Sequence, residues 1–544
     1  MAAETSSFAD LIDGFVDEDL ARNPVKATAL GDTSHDTELP DLTAAGQRDR
    51  RTRDEHWLRT FSSYDESLLS PADAIDRELA CSALRGRAVD DDWESWRRSP
   101  EPYLSSVLSG VHLLFAHRLR EEPDLADAVI ARLDGVADVL AAGRDNLEAD
   151  LASPVLLGRF VPQALGSGAW LRDSVPLEFA DETLRGRVAE AGARAADAMD
   201  SFGSWLSELQ KRASGPFAIG ADRYTRLLQD RDGLSYTAGE LRDVGKSHQD
   251  ALQDDLATRA QAARGDRDWR AWLAGLNDDH PADAGALLAA YTAGTARARA
   301  FCADRDLVSF ADGERCDVVA SPPFQRAVLA VAAYLSPPAF SGGRVGTFWV
   351  PFPPDGADPD AVRQRMQTNS HSIVPTISAH ETYPGHHWHL SWLAAQPVSR
   401  LRRVVMSTFF IEGWGLYAEQ MMREQGFFTD PAAEARQVDC RLFRAARIVV
   451  DTSLHAGDMT VEDAIAYMKE HASLSDDTAR AEVLRYCSWP TQASSYLTGA
   501  IEIQRIRDTY VAGGGGLRDF HNLVAGAGAL PLRLVERVAA GTGA

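Results

Sequence analysis

The stretch DLADAVIARLDGVADVLAAGRDNLEAD, residues 124–150, decides the fold class. Leu125, Val129, Ile130, Leu133, Val136, Val139 and Leu140 recur every three or four positions between charged residues. That spacing puts the apolar groups on one stripe of a helix and the charges opposite. Similar patterns run through 177–212, 237–262, 281–303, 400–424, 431–456 and 490–511. Capping residues stand where several of them start: Ser70 before 72–86, Thr237 before 239–262, and Thr460 three residues ahead of Asp463. No segment recurs at a fixed period, so a solenoid is not expected. The reading is a mainly α protein with at most a small β-sheet or hairpin.

Composition agrees with a folded chain. Of 544 residues, 45% are apolar and 25% charged, which excludes wholesale disorder. The formal charge of −24 disfavours nucleic acid and anionic lipid as partners. No run of about 18 apolar residues occurs, so no membrane span is expected. The acidic first twenty residues resemble neither a secretory signal nor a transit peptide. Cys81, Cys302, Cys316, Cys440 and Cys487 are scattered without a CxxC, which fits reduced thiols in the cytoplasm. Pro and Gly concentrate at 335–360, suggesting an N-terminal helical part (1–335) forming one side of a cleft and a catalytic part (336–544), as pieces of one continuous fold. Within that segment Val345–Phe352 is β-prone. It reads as a buried connector or as an edge strand able to grip an extended peptide.

Chemistry concentrates further on. Five of the fourteen histidines, His371, His380, His386, His387 and His389, fall within nineteen residues. His380-Glu381 followed by a second histidine has the logic of a zinc hydrolase: two imidazoles bind the metal and the glutamate activates its water. The spacing is not that of a regular helix. His386 would be turned about 120° from His380, and His387, on the same face, would lie about 10.5 Å along the axis. Pro384-Gly385 offers the remedy, a bulged or broken turn that swings a histidine back beside His380. His386 and His387 both remain open as the second ligand. His371 and His389 read as ordinary structural histidines.

A third ligand is expected from FIEGWGLYAE, residues 410–419. Glu412 and Glu419 share a helix face about two turns apart, so one metal takes only one of them. Glu412 is the expected ligand. Glu419 either orients a ligating imidazole or pairs with Arg402 or Arg423. Gly413 and Gly415 weaken the helix, each by about 1 kcal/mol, which makes sense where a backbone or a metal-bearing helix must come close. Downstream, Tyr486, Tyr496 and His455 are candidate donors to a tetrahedral oxyanion, and Arg485 a fork for a substrate carboxylate. Asp451, four before His455, reads as its orienter or as half of a helix-surface pair.

HETYPGHHWHL and IEGWGLYAEQ resemble the bacterial domain-of-unknown-function family 885, with its HE-x-x-P-G-H-H and E-G-W-x-x-Y-x-E segments. The resemblance continues through 216–230, 444–468 and 485–507. That family is similar in layout to helical gluzincin peptidases. It implies a large helical fold with a deep active-site cleft, zinc on His380, His386 and Glu412, and Glu381 as general base. Two residues more than the gluzincin HExGH precede His386, which keeps His387 in play.

The expected activity is zinc-dependent hydrolysis of amides in short peptides or peptide-like compounds. Manganese, iron and nickel suit the same ligands. The alternatives are a metal-dependent tailoring enzyme acting on a small-molecule amide or ester, and a non-catalytic helical binding protein with a vestigial site.

Overall fold

The 124–150 pattern becomes the helix Glu122–Asn146 in the computed structural model, which describes residues 7–322, 325, 326, 329–472 and 474–541. Six of its seven stripe residues are buried and Ile130 is half-buried. Each buried aliphatic side chain contributes about 2 kcal/mol to the folded state. Ser70 and Thr460 accept from the third backbone N–H of the helices Pro71–Trp93 and Val461–His471, and Thr237 does the same for Ala238–Arg264. The chain is mainly helical, and none of its described helices is long and apolar enough to cross a membrane.

It divides into two compact units: residues 7–219 with 338–341, and the rest. In the first unit, Glu122–Asn146 packs on Glu101–His117 and Glu182–Gln210, and Pro154–Ala169 packs on Glu182–Gln210. Arg132, fully buried, donates to the carbonyls of Pro24, His35, Glu38 and Gly110 and to the Thr28 hydroxyl.

The second unit carries every histidine and acid of the expected metal site. Two helix pairs dominate it: Ala238–Arg264 against Pro431–Ala456, and Thr408–Glu424 against Gln492–Ala512. The latter cross with their backbones touching. A β-carbon at Gly413 would stand 2.6 Å from Gly499 Cα, and one at Gly499 would stand 1.9 Å from the Phe409 carbonyl oxygen. The expected 400–424 helix is interrupted: Arg400–Val404 ends and Thr408–Glu424 begins after Ser407. There the Ser407 N–H donates to the Ala529 carbonyl and its hydroxyl to Asp232.

A three-stranded sheet runs in the order β1 (Arg315–Ala320), β3 (Val345–Val350), β2 (Ala333–Leu335). β3 is parallel to β1, with Arg315 opposite Val345, and antiparallel to β2, with Ala333 opposite Trp349. The 345–352 strand is therefore shorter than expected and central, with both edges paired, so it offers no open edge to a peptide. Phe348 and Val350 pack with Leu287, Tyr291, Val374 and Ile377, joining the sheet to the helix Val374–Glu381 that ends on the first metal-site histidine and glutamate.

Candidate metal centre

The helix breaks where Pro384-Gly385 stands. Val374–Glu381 stops at Thr382 (φ −116°, ψ −86°), and a second helix, His386–Ala394, starts after Gly385. Glycine is required at 385 by proximity, because a β-carbon there would lie 1.7 Å from the His380 carbonyl oxygen. Three hydrogen bonds hold the break. The Trp388 N–H donates to the Thr382 carbonyl at 3.1 Å, the Trp414 indole to the Pro384 carbonyl at 2.8 Å, and the Tyr383 hydroxyl to Glu314 at 2.6 Å.

The break brings the His380 and His386 rings to 4.7 Å between centroids, almost perpendicular. Their Nε2 atoms lie 3.8 and 3.6 Å from the same Glu412 oxygen. Glu381 joins them: His380, Glu381 and His386 each offer a ligand atom within 4.8 Å of the others. Two carboxylates thus flank one imidazole pair. His387 faces elsewhere, its Nε2 2.9 Å from Glu314 and its Nδ1 3.1 Å from the Tyr334 hydroxyl.

Glu419, fully buried, takes the other side of His380, with Oε1 2.8 Å from Nδ1. It makes no ion pair with Arg423, which pairs with Asp255 and Glu434 instead. Gly415 lets the ring fit, since a β-carbon there would come within 2.6 Å of it. The two weak helix positions therefore serve both anticipated purposes: Gly413 admits a neighbouring backbone, and Gly415 admits an imidazole.

The electrostatics favour a cation here. Burial opposes charge on His380, but Glu412 and Glu419 outweigh it and hold the imidazole up to about 10. Burial would also raise the Glu412 carboxyl, yet hydrogen bonds to His380 and His386 keep it well below the usual range. Burial raises Glu381. Two imidazoles with the carboxylates of Glu412 and Glu381 are a nitrogen and oxygen donor set that suits a divalent cation such as zinc, with Glu419 behind His380.

A cavity of about 980 Å³, walled entirely by the second unit, opens on His380, Glu381, His386 and Glu412. Tyr496 lines it, and the Glu412 charge adds to burial in raising its phenol. Tyr486, His455, Asp451 and Arg485 are not among its lining residues. Tyr486 donates to Glu482 and accepts from Arg447. The His455 ring donates to the Tyr486 carbonyl from a fully buried position, and Asp451, equally buried, accepts from Tyr224 and from the Ser494 N–H. His455 and Asp451 are therefore not a surface pair: the helix bearing them is enclosed on nearly all sides. Arg485 is engaged by Glu482 and Gln492. His371 is exposed, and His389 is buried between Phe410 and Trp414.

Sequence reasoning passed over Glu314, Tyr334, Glu482 and the cavity-lining Arg436, Arg444 and Arg447. Glu314 carries no local signal. Arg444 and Arg447 carried a weak one: two guanidinium groups stand within the mostly apolar run LFRAARIVV.

A mainly helical fold with two imidazoles and two carboxylates converging on one cavity defines the class of protein. The chain belongs to the family described as "Bacterial protein of unknown function (DUF885)", whose model matches residues 24–538. Two solved structures share the fold. One is a "putative lipoprotein of unknown function" from Shewanella oneidensis, with 21% identity, TM-score 0.81, and 98% of this chain and 100% of that one covered. The other is a "putative lipoprotein" from Colwellia psychrerythraea, with 19% identity, TM-score 0.84, and 98% of each chain covered. No curated protein matches the chain.

Proposed function

We propose that the protein is a metal-dependent hydrolase of amide bonds in short peptides or peptide-like compounds. The observation that carries this reading is the approach of His380 Nε2 and His386 Nε2 to one Glu412 oxygen, at 3.8 and 3.6 Å, with Glu381 alongside. A zinc ion held by His380, His386 and Glu412 supplies Lewis acidity toward a substrate carbonyl and makes a neighbouring water more acidic.

The two carboxylates divide the remaining work by environment. Glu412, kept ionised by the imidazoles, suits a ligand, whereas Glu381, raised by burial, suits a base. The Glu381 carboxylate takes a proton from the attacking water and returns it to the leaving nitrogen. Glu419 fixes the His380 ring through Nδ1, leaving Nε2 for the cation. Tyr496, on the cavity wall, is the candidate donor to the developing oxyanion. A cavity of about 980 Å³ admits a short peptide or a metabolite amide and excludes a folded protein. Five free cysteines support a cytoplasmic location.

The test is metal content per chain after purification without added metal. About one zinc in the wild type, lost in His380→Ala and Glu412→Ala, is expected. Glu381→Gln should keep the metal and lose turnover of a peptide library by about a thousandfold or more. Full turnover in Glu381→Gln, or no metal even after zinc titration, overturns the reading.

A further inference from the structure

The helix Pro431–Ala456 lends three arginines to the cavity that holds the metal-site residues: Arg436, Arg444 and Arg447. Two of them are already neutralised. Arg436 pairs with Asp439 at 3.1 Å and donates to the Leu273 carbonyl and Asn277. Arg447 pairs with Glu482 at 2.7 Å and donates to the Tyr486 hydroxyl. Arg444 differs. Among the described residues its hydrogen bond runs to the Cys440 carbonyl at 3.2 Å, within its own helix. Its Nε, like that of Arg436, is buried without a hydrogen-bond partner, but unlike Arg436 and Arg447 it has no carboxylate among the described residues within ion-pair distance.

Of the three arginines in the cavity wall, Arg444 is thus the one whose charge faces the cavity without a carboxylate to balance it. Arginine does not shed its proton, so a half-buried guanidinium without a counter-ion remains a cation open to an anionic ligand. Its planar fork matches a carboxylate by two parallel hydrogen bonds. Aromatic rings limit its movement: the guanidinium carbon lies 5.4 Å from the Phe443 ring centre and 5.8 Å from that of Tyr496. Tyr496 lines the same cavity as Glu412 and Glu381, so a carboxylate held by Arg444 belongs to a ligand that also reaches the metal-site residues.

We propose that Arg444 binds the free C-terminal carboxylate of a short peptide whose amide lies at the His380–Glu412 site. This deepens the hydrolase reading and rests on it, making the substrates peptides with an unblocked C-terminus. The role assigned to Arg485 from sequence passes to Arg444, because Arg485 is taken by Glu482 and Gln492.

The experiment measures binding rather than turnover, so it stands apart from the test of catalysis. Three probes are titrated calorimetrically into the full chain: acetyl-Ala-Ala, its C-terminal amide, and acetyl-Glu-Ala-amide, which offers only a side-chain carboxylate. Wild type, Arg444→Met, Arg444→Lys and His380→Ala are compared, each checked for melting temperature and metal content. The expected result is that wild type binds the free acid roughly tenfold or more tightly over either amide. Arg444→Met should lose that preference, and Arg444→Lys should regain part of it. Equal affinity for acid and amide in wild type, or no binding of any probe, overturns the proposal. So does a preference kept in Arg444→Met but lost in His380→Ala, which would put the carboxylate on the metal. Tighter binding of the side-chain acid would overturn the C-terminal assignment.

Discussion

The two units treat buried polarity in opposite ways. In the first, Arg132 has no exposed surface, yet four carbonyls and a hydroxyl answer it. Among the described residues of that unit, the buried side-chain atoms without a partner are Asp54 Oδ2 and Ser153 Oγ. In the second unit, among the described residues, such atoms are more numerous: His386 Nδ1, both nitrogens of His389 and Glu419 Oε2 stand beside the candidate metal centre, and others, such as Arg242 Nε, Thr295 Oγ1, the Gln437 amide and Arg441 Nη1, are spread through the unit. A polar group left unanswered in an interior lowers stability, so a cluster of them marks where the fold serves something other than its own stability. The first unit answers its interior polar groups almost completely, and the second leaves several unanswered beside the candidate site.

Arg132→Met should give the largest loss of stability, about 3 kcal/mol, because it strands several carbonyls at once. Chemical denaturation measures it, and a loss below about 1 kcal/mol would mean that the carbonyls find other donors. Next comes Glu482, whose carboxyl is held down to about 2: burial would raise it, but Arg447 and Arg485 prevail. A depressed folded value contributes stability above the ordinary 4.5 and loses it as pH falls toward 2. The stability gap between wild type and Glu482→Gln should therefore be on the order of 2 kcal/mol at pH 7 and close between pH 4.5 and 2. A gap independent of pH would remove the ion pair from the explanation. The smallest effect runs the other way. His389, pushed by burial down to about 3, packs on Phe410 and Trp414, and His389→Leu should leave stability unchanged or raise it by about 1 kcal/mol. A substantial loss in that variant would show His389 to be as fully answered as Arg132.

Legibility follows the same division. The helix Glu122–Asn146 could be read from its own residues because one face meets a core and the other meets solvent. In Pro431–Ala456 even Asp451 and His455 are fully buried, so two polar residues that look like a surface pair are interior. The break before Thr408 depends on Ala529 and Asp232, far along the chain, and local propensity is blind to it. At the site, Pro384-Gly385 announced a broken turn, and the placing of Glu412 beside His380 and His386 was anticipated from neighbouring residues alone. The choice between His386 and His387 was not legible, because Glu314 and Tyr334, which occupy His387, come from the sheet region.

The contact between Gly413 and Gly499 is the point at which the two helices cross, and the Arg507–Glu424 ion pair ties them again toward their far ends. Glu412 lies about 1.5 Å along its helix from that point and Tyr496 about 4.5 Å along the other, whereas Glu424 and Ala512 lie about 16 and 20 Å away. Two missing side chains thus set how near Glu412 on one helix stands to Tyr496 on the other, and a side chain at 413 or 499 would push these two cavity-lining residues apart.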